Sequence, residues 1–225
     1  RDLHSDTRSF PTRRSSDLIL SSPDNNTSTN DSTPTFDWLN MSGATSYIIQ
    51  VDNSSGFSSP EIDTTTTSSH LEPSSSLDDD TYDWRVKSRD DLLNESDWSE
   101  VWSVTIDTTG PAAPVLAKPD NNSTSNDTTP AFEWSWPTSA VEFRIQIDNS
   151  ETFTSPVRDK YRTTGDYTPS SPLPYDDYWW RVQAKDDLGN WGNWSTVYQL
   201  TIDETCATPG TPSLDSPLNG STTGD

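Results

Sequence analysis

The carboxylates of this chain recur in a pattern that suits a hard cation. Asp90-Asp91 and Asp186-Asp187 are matched pairs, as are Asp52-Asn53 and Asp148-Asn149, and Asp107 and Asp203 end two matching segments. Oxygen donors of this kind hold Ca2+. Against that, no DxDxDG spacing accompanies them, and Asp in a turn also hydrogen-bonds its own backbone. Acid–base chemistry has less to work with. The two histidines are His4 and His70, and Asp166 stands 96 residues beyond His70, where a matching segment returns. No GxSxG, HExxH or phosphate-cradling glycine loop occurs. A glycosidase-like acid pair needs a cleft, and the chain carries no insertion to build one. It is therefore expected to be non-catalytic and to need no cofactor, with calcium as the candidate ion.

A second constellation combines tryptophan with cations. Arg85, Lys87 and Arg89 precede Trp98 and Trp102, and Arg181 and Lys185 precede Trp194. If each alternating run is a strand, these cations face away from the core and meet the tryptophans that follow. The expectation is a cation–π ladder of Arg85, Lys87, Trp98 and Trp102, repeated by Arg181, Lys185 and Trp194. Each contact contributes about 0.5–1 kcal/mol. The second copy is looser, with Tyr198 for Trp102 and Gln183 for Lys87. Trp136, Trp179 and Trp191 have no counterparts and are the candidate glycan contacts, outward rings for stacking on pyranose faces. The competing reading packs Trp136 and Trp191 against a neighbouring unit.

The elements that position these groups repeat with a period of 96 residues and no gap inside the unit. PDNNTSTNDSTPTFDW from Pro23 returns as PDNNSTSNDTTPAFEW from Pro119, and YDWRVKSRDDLLN from Tyr82 returns as YWWRVQAKDDLGN from Tyr178. A third copy starts near Pro212 and is cut off, so the chain is expected to be a piece of a longer array. The reading gives a module over 18–107, a linker over 108–113, a module over 114–203, a linker over 204–211, and the start of a third module over 212–225. Residues 1–17 hold four of the ten arginines and none of the ten tryptophans. They resemble translated sequencing-adaptor sequence and are taken as a non-native or unstructured leader.

Hydrophobic residues make up 28% of the chain and the net charge is −22, a balance that leans towards disorder. Trp38, Trp84 and Trp98, each matched one period later, argue instead for a small aromatic core under a polar skin. The acidity opposes nucleic-acid binding, and no apolar run is long enough to span a bilayer. Cys206 is the one cysteine, which excludes an intramolecular disulfide. Sequons such as those starting at Asn25, Asn94 and Asn193 fit an exposed surface.

Short strands separated by polar turns account for each unit, roughly seven in about ninety residues. They fall at Leu18–Ser22, Thr35–Asn40, Tyr47–Val51, Tyr82–Ser88 and Trp102–Asp107, with weaker signals at Glu61–Thr66 and Val157–Thr163. Tyr47, Ile49 and Val51 share one face, as do Tyr82, Trp84 and Val86. Ile48 breaks the alternation and is expected to be partly exposed.

The early Trp38 and Trp134, Leu77-x4-Tyr82 and Leu173-x4-Tyr178, the WRV strand, the DDLLN or DDLGN turn and the Trp-Ser pair together resemble the fibronectin type III superfamily, in its bacterial and archaeal surface-protein versions. The resemblance implies an all-β fold of tandem seven-stranded sandwiches. It also implies a tyrosine corner, with Leu77 and Tyr82, and Leu173 and Tyr178, placing the phenol hydroxyl on upstream backbone. Trp98-Ser99-Glu100-Val101-Trp102-Ser103 is similar to the WSxWS box of cytokine receptors with one extra residue. The function expected is that of an extracellular or cell-surface spacer or stalk that also adheres. Its partners would be neighbouring modules, a surface protein or a polysaccharide. The alternative is a carbohydrate-binding accessory module beside a secreted hydrolase.

Overall fold

The computed structural model describes residues 18–205, so the leader, Cys206 and the third-module start lie outside the described residues. The chain divides into two compact units at Gly110–Pro111, with Asp186–Trp191 grouped with the first. The first repeat contains β1 (Leu20–Ser22), β2 (Thr27–Thr29), β3 (Phe36–Trp38), β4 (Ser46–Asp52), β5 (Ile62–Thr66), β6 (His70–Leu71), β7 (Asp80–Arg89) and β8 (Trp102–Ile106). The second contains β9 (Leu116–Lys118), β10 (Ser123–Ser125), β11 (Phe132–Trp134), β12 (Glu142–Asp148), β13 (Arg158–Arg162), β14 (Asp166–Tyr167), β15 (Asp176–Lys185) and β16 (Tyr198–Ile202). Each repeat is a two-sheet sandwich, with orders β1-β3-β6 and β2-β8-β7-β4-β5, then β9-β11-β14 and β10-β16-β15-β12-β13.

Eight strands form where about seven were expected, and the additional ones are polar. β2 and β10 lie between the expected strands, and they pair in parallel with the last strand of their repeat, Thr27 beside Val104 and Ser123 beside Leu200. The Asn-Asn pair makes this junction. Asn25 Oδ1 accepts from the Ser103 N–H at 2.9 Å, and the Asn26 N–H donates to the Ser103 carbonyl at 2.8 Å. Asn26 does so at φ 61°, a left-handed conformation that Asn tolerates. His70 pairs with Asp37 in the three-stranded sheet.

The long strands follow the alternation read from the sequence. Tyr82, Trp84, Val86 and Ser88 of β7 turn inward, as do Tyr178, Trp180, Val182 and Ala184 of β15. Trp84 meets Phe36 edge-on at 5.1 Å between centroids, and Trp180 meets Phe132 at the same distance. Roughly 200 Å² per ring at about 25 cal/mol per Å² makes each buried indole worth about 5 kcal/mol gross. A few such rings are how a chain this polar closes a core. The Tyr82 hydroxyl donates to the Asp78 carbonyl at 3.1 Å and that of Tyr178 to the Pro174 carbonyl at 3.0 Å, over the buried Leu77 and Leu173. Ile48 departs from expectation. It faces outward but is only 9% exposed, because the outer face of the five-stranded sheet carries a second layer.

Candidate functional site

That second layer is built on Arg85 and Arg181, at the centres of β7 and β15. The Arg85 guanidinium carbon lies 4.0 Å from the Phe57 ring centroid and 4.4 Å from that of Trp98. Both rings thus lie within cation–π distance of one guanidinium. Gln50, its cross-strand partner on β4, fixes the plane by accepting from Nε at 3.1 Å and Nη2 at 2.7 Å. The second repeat builds the same unit. Arg181 lies 4.1 Å from Phe153 and 4.2 Å from Trp194, and its Nε and Nη2 donate to Gln146 at 3.0 and 2.8 Å. Burial lowers the pKa of both guanidinium groups, the mark of a desolvated cation.

The turns and serines around the stack explain how the rings arrive. Phe57 and Phe153 stand at φ 49° and 51°, a left-handed conformation that is costly for a bulky residue and is offset here by the ring's contact with arginine. On the other side, β8 begins too late to pair with the rest of β7. Ser99 takes its place: its Oγ accepts from the Val86 N–H at 3.1 Å and its own N–H donates to the Val86 carbonyl at 2.8 Å. Ser195 repeats both contacts with Val182. The serine of each Trp-Ser pair thereby holds the tryptophan over the cation.

Some residues expected in the ladder go elsewhere. Lys87 does reach Trp98, with Nζ 4.6 Å from the ring centroid. Trp102 does not join: it points into the sandwich and meets Trp84 edge-on at 6.0 Å, as Tyr198 meets Trp180 at 5.8 Å. Lys185 pairs with Glu142. The missing cation of the second repeat comes from a neighbouring strand. Ile48 and Lys87 are cross-strand partners in the first repeat, and Arg144 and Gln183 are partners at the matching places. Arg144 stands 5.8 Å from Trp194 and forks onto Asp159 at 2.8 and 2.6 Å, holding that carboxyl below the usual range. Phe57, Phe153, Gln50 and Gln146 were not anticipated, although all four repeat one period apart.

The candidate glycan rings come from different segments of the second repeat. Trp136 follows β11, is 54% exposed, packs edge-on against buried Phe143 at 5.0 Å and donates its Nε1–H to the Ala140 carbonyl. Trp179 lies on the outer face of β15, half-buried, and Trp191, also half-buried, takes the place of Glu95. Glu95 itself pairs with Lys87 and Arg89.

Several of the candidate calcium ligands are engaged by their own turns. Asp90 Oδ1 accepts from the N–H groups of Leu92 and Asn94, and Oδ2 from the Asn94 side chain; Asp186 holds Asn190 in the same way. Asp52, Asp107 and Asp203 each accept the N–H two residues on. Among the described residues no three His, Cys, Asp or Glu side chains gather as a metal site.

Residues 16–108 match the family model of the bacterial Ig-like domain. The chain also resembles solved structures at the level of the fold. It is 14% identical to the FN1–FN3 domains of chicken CNTN1 over 81% of its length and 66% of theirs, with a TM-score of 0.45. It is 9% identical to the fibronectin(III)-like modules of Clostridium thermocellum CbhA over 87% of its length and 99% of theirs, also with a TM-score of 0.45. No curated protein matches. The bacterial Ig-like match thus covers the first repeat, and the second repeat folds as the same kind of β-sandwich. Modules of this class are typical of surface or secreted multidomain proteins and are usually non-catalytic.

Two outcomes follow from the geometry. Arg85→Ala removes two ring contacts and two charged hydrogen bonds, and should cost the first unit about 2–3 kcal/mol in urea denaturation followed by tryptophan fluorescence. Arg85→Lys should recover less than half of that loss. The Asp90 carboxyl is held below its ordinary value, first by the Asn94 side chain and then by the Asn94 and Leu92 N–H groups, with burial opposing. Its stabilisation is complete above the unfolded value of about 4 and fades as pH falls through the lower folded value. Asn94→Ala should therefore lower the melting temperature at neutral pH more than at a pH of about 2.5, measured by thermal denaturation.

Proposed function

We propose that this chain is a non-catalytic structural and adhesive repeat, a spacer or stalk segment of a larger surface or secreted protein. One observation carries the reading: what the two repeats keep in common maintains the sandwich. The inward rings, the hydroxyls of Tyr82 and Tyr178, the Phe–Arg–Trp stacks and the Asp90 turn all contact their own repeat. Selection on a spacer acts on stability, and an acidic skin keeps an array of such modules apart and soluble.

Stretching single molecules of the chain tests this. A stalk should give two discrete unfolding events, each releasing about 300 Å of contour for roughly ninety residues. Gradual extension without distinct events would overturn the reading.

A second reading, an accessory carbohydrate-binding module, is favoured by the exposure of Trp136 in the second repeat. It requires that soluble polysaccharides quench tryptophan fluorescence and that Trp136→Ala remove the response. A chain unresponsive to a glycan panel removes this reading and leaves the spacer intact.

A further inference from the structure

β5 and β13 each form one edge of a five-stranded sheet and pair on one side alone. In the first repeat a cleft of about 560 Å³ opens beside β5, between Ile62 and the segment from Leu71 to Asp78, with Tyr82 at its base. In the second repeat Arg158 stands where Ile62 stands in the first. Its guanidinium turns into the corresponding loop and donates to the Val157 carbonyl at 3.0 Å, the Ser171 carbonyl and Oγ at 3.3 and 3.0 Å, and the Pro172 carbonyl at 3.5 Å. Ser171 and Pro172 match Ser75 and Ser76, which line the cleft of the first repeat. One loop architecture therefore takes an arginine in one repeat and stands open in the other.

The charges around the two loops differ in the same sense. Glu61, Glu72 and Asp78 rim the first cleft, and the matching residues of the second repeat are Val157, Thr168 and Pro174. β5 reads IDTTT and carries no cation, whereas β13 reads RDKYR, with Arg158, Lys160 and Arg162 on one side of the strand. The buried tyrosines register this field. Burial raises the pKa of the Tyr82 hydroxyl first, and Glu61, Asp80 and Asp78 raise it further; in Tyr178 burial and Asp176 raise it while Arg158 pulls it down.

We propose that the edge cleft of the first repeat binds an extended, arginine-bearing segment of another polypeptide, which lies alongside β5 and sends a guanidinium into the space that Arg158 fills in the second repeat. The backbone groups on the free side of β5 supply main-chain pairing, and the acidic rim selects the basic side chain. This goes beyond the spacer reading and does not depend on it, since a stalk that unfolds in two steps has no need of a peptide partner.

The probe is a fluorescent hexapeptide with the sequence of residues 157–162, titrated into the full chain at low ionic strength and read by anisotropy. The expected result is saturable binding below ~1 mM that weakens about tenfold when citrulline replaces both arginines. Ile62→Arg, which fills the cleft from within, should weaken binding by about the same factor. The paired change Glu72→Gln and Asp78→Asn lies on the rim and leaves the core intact, so it keeps the test valid if Ile62→Arg fails to fold, as judged by near-ultraviolet circular dichroism. Absence of binding, equal binding of the citrulline peptide, or binding unchanged in the rim variant would each overturn the proposal.

Discussion

Trp84 and Trp180 sit at the centre of each sandwich, and their burial conditions everything built around them. Their indole N–H groups, like those of Trp38 and Trp134, find no acceptor among the described residues. A buried donor without a partner costs about 1–3 kcal/mol, while a buried indole gains about 5 kcal/mol gross. The balance favours the ring, but only if it is closed off from water on every side. Phe36 and Phe132 close it from the three-stranded sheet, and Trp102 and Tyr198 from the last strand. A smaller side chain would forfeit the area that compensates for a chain with so few apolar residues.

The same scarcity shapes the outer face. With little aliphatic surface to spare, each repeat lays a second hydrophobic layer from phenylalanine, the flat faces of a guanidinium, and tryptophan. This layer tolerates exchange of its parts. A cation reaches the tryptophan from Lys87 on β7 in one repeat and from Arg144 on β12 in the other. The acid beside Arg89 is Glu95, while the acid beside Lys185 is Glu142. Charge near the ring is kept while its source strand changes, which is how two repeats diverge in sequence without losing the stack.

How far the sequence speaks depends on which physical signal an element carries. β4, β7, β12 and β15 alternate apolar and polar residues because one face is buried, and their inward residues were legible. β2 and β10 are polar on both faces and are held by asparagine and backbone, so they read as turn. Phe57 and Phe153 belong to no strand, and their partnership with arginine depends on a left-handed turn that no periodicity announces. Trp102 is a different case. Its spacing from Val104 and Ile106 points inward, and that alternation outweighs the likeness to a paired Trp-Ser box. The outward Ile48 looked anomalous because the layer covering it is not encoded along its own strand.

β2 has one more consequence. It lies near the start of its repeat and runs parallel to β8 at the end, joined by the Thr27–Val104, Ser28–Thr105 and Thr29–Ile106 pairs. Tension drawn through the two ends of a repeat pulls parallel neighbours in opposite directions along their own axes. The backbone bonds between them are then loaded together in shear, and the ladder has no free end from which to unzip. A polar segment of three residues, hardly visible in the sequence, is placed as a mechanical clasp between the way in and the way out of the module.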